Sequence, residues 1–146
     1  MIEERSAGAV VFYSDDGRRF YLLLLNGDRL DLPKGQIEPG EDEMTAAQRE
    51  TKEETGLELR FIEGFKKEIE YYYARQGRER VHKIVTFFLA ESKNKEVRIS
   101  SEHQGYIWLT YEDAVRRASY RSTRLLISSA ENFIKKNLIQ QKIDAK

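Results

Sequence analysis

Gly35–Leu57 reads GQIEPGEDEMTAAQRETKEETGL, and the spacing within it predicts a helix over about Glu43–Thr55. Glu50, Glu53 and Glu54 fall at i, i+3 and i+4, which sets three carboxylates along one helical face. Like charges so placed repel and cost helix stability, so a cation beside them is the natural offset. Ala46 lies one turn earlier on the same arc and is too small to obstruct it. Met44, Ala47 and Thr51 lie on the adjoining arc and are expected to pack inward. Arg49 flanks the acidic arc and reaches Glu53 at i+4. Pro39-Gly40 marks a turn before the helix, and Gly56 suits the left-handed position that ends one. Leu32-Pro33-Lys34-Gly35 is a second irregular stretch, with a cation and an accessible backbone carbonyl.

A set of oxygen ligands favours Mg²⁺, Mn²⁺ or Ca²⁺ over zinc. The chain has no cysteine and two histidines, which disfavours a zinc site of the usual composition. Mg²⁺ commonly takes one or two carboxylates and completes its shell with water and substrate phosphate. The chemistry suggested is metal-assisted attack of water on a phosphoryl centre. The competing reading is a solvated helix laced by i,i+4 ion pairs, which accounts for Arg49–Glu53 and Lys52 but not for the whole pattern.

Outward from this helix, Ala7–Tyr13 and Phe20–Leu25 read as a hairpin turning at Ser14–Gly17. Asn26-Gly27-Asp28 breaks it. Leu57–Phe61 is expected as a short strand. Phe65–Tyr73 and Val81–Ala90 form a second hairpin around Arg75–Arg80, with apolar residues on both faces, as in a sheet covered on both sides. Val97–Ile99 is a short extended segment and Tyr106–Leu109 a strand. Thr110 caps a helix from Tyr111. A last helix runs from about Ser122 to Lys136, and Gln140–Lys146 is expected to fray. Interleaved strands and helices indicate an α/β layered fold.

At 146 residues the chain is expected to form one domain, 1–146, with an ordered core over about 5–138. Lys plus Arg and Asp plus Glu are 25 each, and a net charge of zero gives no general attraction to long nucleic acid or an anionic membrane. The N-terminus lacks the basic start and apolar run of a signal peptide, and the longest apolar runs are too short to span a bilayer. The lack of cysteine fits a reducing cytoplasm, so a cytoplasmic location is expected. Oligomeric state is not encoded in any feature of the chain.

The order G-x5-E-x7-R-E-U-x-E-E-x-G-U, with U usually bulky and apolar, is filled in register by Gly35, Glu41, Arg49, Glu50, Glu53, Glu54, Gly56 and Leu57. In this the chain resembles the Nudix hydrolases. Thr51 departs from the pattern, being β-branched and polar where an aliphatic residue is commoner. The resemblance implies an α/β/α sandwich with a mixed sheet, and hydrolysis of a nucleoside diphosphate linked to another group. Further blocks, SAGAVVFY at Ser6–Tyr13, Tyr21–Leu25, LPKGQIEPGED at Leu32–Asp42, IEGFKK at Ile62–Lys67, FLAE at Phe88–Glu91 and EHQGYIWL at Glu102–Leu109, are similar to the asymmetrically cleaving diadenosine tetraphosphate hydrolases. That resemblance implies cleavage of diadenosine tetraphosphate to ATP and AMP.

It further implies a Mg²⁺ (or Mn²⁺) site held by Glu50, Glu53, Glu54, the Gly35 carbonyl and Glu102. Glu54 is the first candidate to orient or deprotonate the attacking water, with Glu102 as its rival. Arg49 is expected to orient Glu53, and Glu41 to support the ligands from behind. Lys34 and Gln36 flank the acidic face and are candidates to bind substrate. Lys83 and Phe87, four apart in a strand, share a face, and the family places a phosphate-binding lysine and a stacking ring there. Stacking on a base contributes about 1–3 kcal/mol in nucleic-acid binders. Phe133 is expected to form the opposite wall, with Tyr120 as second choice. His103 is a candidate to orient phosphate or water.

Plainer readings stand beside these. Phe87 suits ordinary core packing, Phe133 a helix core stripe and His103 a hydrogen-bonded structural role. His82 faces away from Lys83 and is read as structural. Tyr71-Tyr72-Tyr73 reads as strand packing, with one ring available to the cleft. Gln36 replaces the histidine of animal and plant-type relatives and cannot carry a proton or charge near neutral pH. Rival functions are hydrolysis of 5′-triphosphate RNA, a nucleoside triphosphate or ADP-ribose, and a non-catalytic nucleotide-binding module.

Overall fold

A computed structural model describes residues 1–144. Strand β1 (Ile2–Asp15) and strand β2 (Arg18–Asn26) are joined through Asp16 and Gly17, both at positive φ, the conformation that tight hairpin turns favour. The two strands pair only from Phe12↔Tyr21 to Asp15↔Arg18 and then splay. On the freed edges, β3 (Arg29–Asp31) pairs with Leu24–Asn26 of β2, and β4 (Lys34–Gln36) pairs with Ser6–Gly8 of β1. Leu32-Pro33 crosses the gap between them. Gly8 makes the crossing possible: a Cβ there would lie 2.1 Å from the Pro33 carbonyl oxygen. That carbonyl accepts from the Ala9 N–H at 3.2 Å.

Helix α1 (Glu43–Thr55) follows. Asp42 caps it by accepting from the Thr45 N–H at 2.7 Å, and Gly56 ends it at φ 68°, as its sequence predicts. Strands β5 (Leu59–Ala74) and β6 (Arg80–Ser92) form the long second hairpin. β6 runs parallel to β1 from Ile2↔Val81 to Tyr13↔Ser92. β7 (Gly105–Thr110) runs antiparallel to β2 on its other side. Helix α2 (Tyr111–Arg117) is capped by Thr110, and α3 (Arg121–Asp144) closes the chain.

The result is a mixed seven-stranded sheet with helices on both faces, the expected α/β/α arrangement. One face carries Ala7 and Phe88 beneath Ala46 and Ala47 of α1. The other carries Val10, Tyr21, Val85 and Leu89 beneath Leu126, Ile127, Ala130 and Ile134 of α3. A buried cluster of charge and hydroxyl fastens that second layer. Arg19 donates twice to Glu131, each at 2.9 Å, and the Tyr21 hydroxyl donates to the same carboxylate at 2.6 Å. No helix among the described residues is long and apolar enough to cross a membrane.

Several local expectations are revised. Leu57–Phe61 is not a separate short strand: Leu59 onward belongs to β5, which continues through a register shift between Phe61 and Lys66. Gly64, at φ 98°, supplies the conformation the irregularity needs. Most of the outer half of β5 is exposed rather than covered on both faces, because β5 is an edge strand, and its Lys and Glu residues suit an edge. Val97–Ile99 forms no strand; Val97 and Ile99 instead pack on the cluster of Ala9, Val11, Leu22 and Leu24. The last helix extends to Asp144, beyond the expected span. The remainder of the expected frayed tail, 145–146, lies outside the described residues.

Candidate active site

The acidic face of α1 turns inward, onto β4. At Gly35 a Cβ would lie 2.0 Å from the Glu50 carboxyl carbon, so only glycine lets that carboxylate come so close to the strand. The Lys34 N–H donates to Glu54 Oε2 at 2.9 Å. Glu54 is 6% exposed. Burial first, and then the charges of Glu50 and Glu102, push its carboxyl up to about 8. Glu53 behaves differently: its side chain is 58% exposed against 17% for Glu50. The helical spacing is as expected, but the sheet covers only part of the face.

Arg49 has a different emphasis from the one expected. It grips Glu41 with Nε and Nη2 at 2.7 and 2.9 Å, Glu50 with Nη1 at 2.7 Å and the Gln36 carbonyl at 3.0 Å. Its contact with Glu53 is longer, 3.4 Å. Arg49 therefore orients Glu41 and Glu50 foremost. Its hydrogen bonds, with the Glu38 N–H, hold the Glu41 carboxyl down at about 2.

The distal carboxylate arrives from the segment before β7. Arg98 N–H donates to the Thr55 carbonyl at 2.8 Å and Gln104 N–H to the Leu25 carbonyl at 2.9 Å. The Gln104 side chain accepts from the Gly27 N–H at 2.6 Å. These bonds fasten the loop between the end of α1 and the β2–β3 turn, so that Glu102 and His103 face Glu54 across a cavity of about 270 Å³. Burial pushes the His103 imidazole below its ordinary value, against the charge of Glu102, and Ser100 Oγ lies 3.2 Å from its Nδ1.

A second cavity of about 570 Å³ adjoins the first and is lined by Tyr71, Phe87, Tyr120 and Thr123. Arg29, Asp31, Lys34 and Tyr120 border both, so the two form one cleft with an acidic end and an aromatic end. Lys34 stands at the junction, 3.0 Å from Asp31. Burial alone would lower its ammonium, but Asp31 raises it above the ordinary value. Arg29 donates to the Tyr120 hydroxyl at 2.6 Å, with its guanidinium 5.6 Å from the ring centroid.

Phe87 is 1% exposed and belongs to the core, and it also lines the aromatic cavity. Phe133 does not form the opposite wall. It packs edge-on against Phe65 at 5.6 Å and beside Gly64, whereas Tyr120 lines the cavity. The start of α3 meets the cleft, and Phe133 lies about 20 Å further along the helix at 1.5 Å per residue. Gln36 and Lys83 border neither cavity. The Gln36 amide donates to Glu4 at 3.3 Å, and the Lys83 ammonium lies 3.8 Å from the same oxygen. His82 pairs with Glu70 at 2.8 Å and stacks on Tyr72, in keeping with a structural role. Arg29 and Asp31 were not singled out from sequence. Their one signal was charge placed directly before the Leu32–Gly35 block.

The donor set suits a hard divalent cation: all ligating atoms are oxygen, a buried carboxylate retains a proton that a cation would displace, and Gly35 leaves room for close approach. Among the described residues, no three Asp, Glu or His side chains converge into a formed metal cluster. Arg49 and the Lys34 N–H hold the carboxylates in their present positions.

A NUDIX domain model matches residues 3–127. The asymmetrical bis(5′-nucleosyl)-tetraphosphatase of Mus musculus is 37% identical over 144 residues, covering 89% of this chain and 95% of the relative. The enzyme of that name from Caenorhabditis elegans is 33% identical over 137 residues, covering 89% and 96%. The crystal structure of a C. elegans Ap4A hydrolase binary complex superimposes with a TM-score of 0.80 at 32% identity, covering 91% of this chain and 98% of that one. With the signature residues on β4, α1 and the turns that flank the helix, and Glu54 at the acidic end of the cleft, this chain belongs to the Nudix family and is a Nudix hydrolase.

Proposed function

We propose that this protein hydrolyses diadenosine tetraphosphate to ATP and AMP, dependent on Mg²⁺ or Mn²⁺. The observation that carries the reading is the continuity of the two cavities, which sets an aromatic chamber beside the buried carboxyl of Glu54 with Lys34 between them. Likeness along the chain to the mouse and worm tetraphosphatases supports the choice of substrate.

In this reading Glu50, Glu53, Glu54, Glu102 and the Gly35 carbonyl hold the metal. When bound, the metal neutralises phosphate charge and acidifies a water. Arg49 keeps Glu50 aligned, and Glu41 braces Arg49. Glu54 accepts the proton as water adds to phosphorus, because it lines the cavity where Glu50 and Glu53 do not; Glu102 faces the same cavity as the alternative acceptor. The phosphorus–oxygen bond to the departing nucleotide breaks as the new one forms. Lys34 steadies the phosphate chain, with His103 at its acidic end. Tyr120, Tyr71 and Phe87 enclose one base.

The decisive experiment incubates the protein with diadenosine tetraphosphate and Mg²⁺ in ¹⁸O-water and resolves the products. ATP and AMP support the reading, whereas two ADP molecules refute asymmetric cleavage. A parallel panel of 5′-triphosphate RNA, nucleoside triphosphates and ADP-ribose ranks the rival substrates. No turnover of any nucleotide would favour a binding module.

A further inference from the structure

Glu4 is a charged residue near the start of β1, yet it is only 8% exposed. A carboxylate so buried is costly unless paired, and this one has partners on three other elements. The Tyr73 hydroxyl and the Arg75 guanidinium, from the end of β5 and the turn after it, both donate to its Oε1. On Oε2 it takes the Gln36 amide from β4 at 3.3 Å and faces the Lys83 ammonium of β6 at 3.8 Å. The hydrogen bond from Tyr73 leads the effects that hold the Glu4 carboxyl down at about 2, so it is an anion throughout the working range. None of the signature motifs accounts for it.

Its place in the sheet connects it to the cleft. Glu4 is the register partner of Lys83, and Lys83 is the register partner of Tyr71. The three side chains form one row across β1, β6 and β5 on the face that carries Phe87. Tyr71 lines the aromatic cavity, and its ring lies 6.2 Å from Tyr73. β5 is an edge strand, with no neighbour on its outer side among the described residues. The turn beyond it, with Gly77 and Arg78 at positive φ, is tied back onto β1 by these contacts of Glu4. The same carboxylate offsets a concentration of cations, since Lys34 and Arg75 both act on Lys83.

We propose that Glu4 is a positioning residue of the nucleotide cleft, holding the end of β5 through Tyr73 and Arg75 so that Tyr71 stays in place for the base of the substrate. The Gln36 amide and the Lys83 ammonium, both turned toward Glu4 rather than into the cleft, belong to the same device. This inference rests on the proposed reading, in which Tyr71 meets a base.

The test compares the full-length parent with Tyr71→Ala, Glu4→Gln, Glu4→Asp and Arg75→Met, using diadenosine tetraphosphate at saturating Mg²⁺. Glu4→Gln is expected to raise KM about tenfold, the size of one charge-assisted contact, with kcat within about twofold of the parent. Glu4→Asp should recover part of that loss. Arg75→Met, a surface change that keeps the core carboxylate, should raise KM about threefold and keeps the test decisive if Glu4→Gln does not fold. The split between KM and kcat, with the partial rescue by Glu4→Asp, is a readout that general loss of packing would not give. An increase in KM for Tyr71→Ala with none for folded Glu4→Gln and Arg75→Met would overturn this inference alone. No increase in Tyr71→Ala would also overturn it, and no hydrolysis by the parent would overturn both it and the reading beneath it.

Discussion

The main-chain N–H of Lys34 donates to the buried carboxylate of Glu54 at 2.9 Å, joining the strand that crosses the splayed sheet to the helix that carries the signature. Neither residue alone makes a site. Together they set a carboxyl that burial has raised to about 8 at the base of the cleft.

The pH dependence of stability follows from Glu54. Between the ordinary glutamate value of about 4.3 and about 8, the folded chain keeps a proton that the unfolded chain has released. The contribution of Glu54 to stability is therefore fully present below the lower value and is lost as pH rises through the upper one. Thermal melts across this range should show the decline without divalent ion, a weaker decline with saturating Mg²⁺, and none arising from this group in Glu54→Gln. The same variant, and Glu53→Gln, should each lose at least ~100-fold in turnover, a loss typical of proton-transfer groups or the supports of metal ligands. Parental rates in both variants would refute the role given to this face.

Gly35→Ala tests the close approach of Glu50 to β4. The added methyl would meet the carboxyl group at 2.0 Å, so Glu50 must withdraw and its bond to Arg49 must break or lengthen. Turnover should fall at least ~10-fold, and denaturant unfolding should show a loss of about 1–3 kcal/mol, as for an overpacked site. Unchanged kcat would mean that Glu50 has no positional role.

Tyr120 and Phe133 separate binding from packing. Tyr120→Ala should raise KM by about tenfold, consistent with loss of a stacking wall, with a small change in stability. Phe133→Ala should lower stability by about 2 kcal/mol, below the range for a fully buried phenylalanine, and leave KM unchanged. The reverse pattern would restore Phe133 to the cleft.

Glu131→Ala removes one partner from a buried ion pair and leaves Arg19 with its charge unmatched beneath α3. Such losses cost about 3–5 kcal/mol, measurable as a reduced denaturation midpoint. If Glu131→Ala unfolds as the parent does, the contacts with Arg19 and Tyr21 do not hold α3 to β2.

The sequence by itself determined the identity and spacing of the signature, because capping residues, helical period and a glycine stop are local properties. Asp42, the face of Glu50 and Glu54, and Gly56 could be read without knowing any neighbour. It also determined the sheet-and-helix order, since alternation and periodicity survive in isolation. Only the tertiary structure decided how each carboxylate is used. Glu53 and Glu54 are adjacent in sequence, yet the packing of α1 on β4 buries Glu54 and leaves Glu53 in solvent. The same is true of the cleft walls: Tyr120 and Phe133 are both aromatic residues near or in one helix, and the bonds of Ser119 and Thr123 to Leu30 and Asp31 of β3 set the start of that helix at the cavity. Glu4 is the extreme case, a charge with no local pattern whose partners lie 32–79 residues away in the chain, brought together by strand register alone.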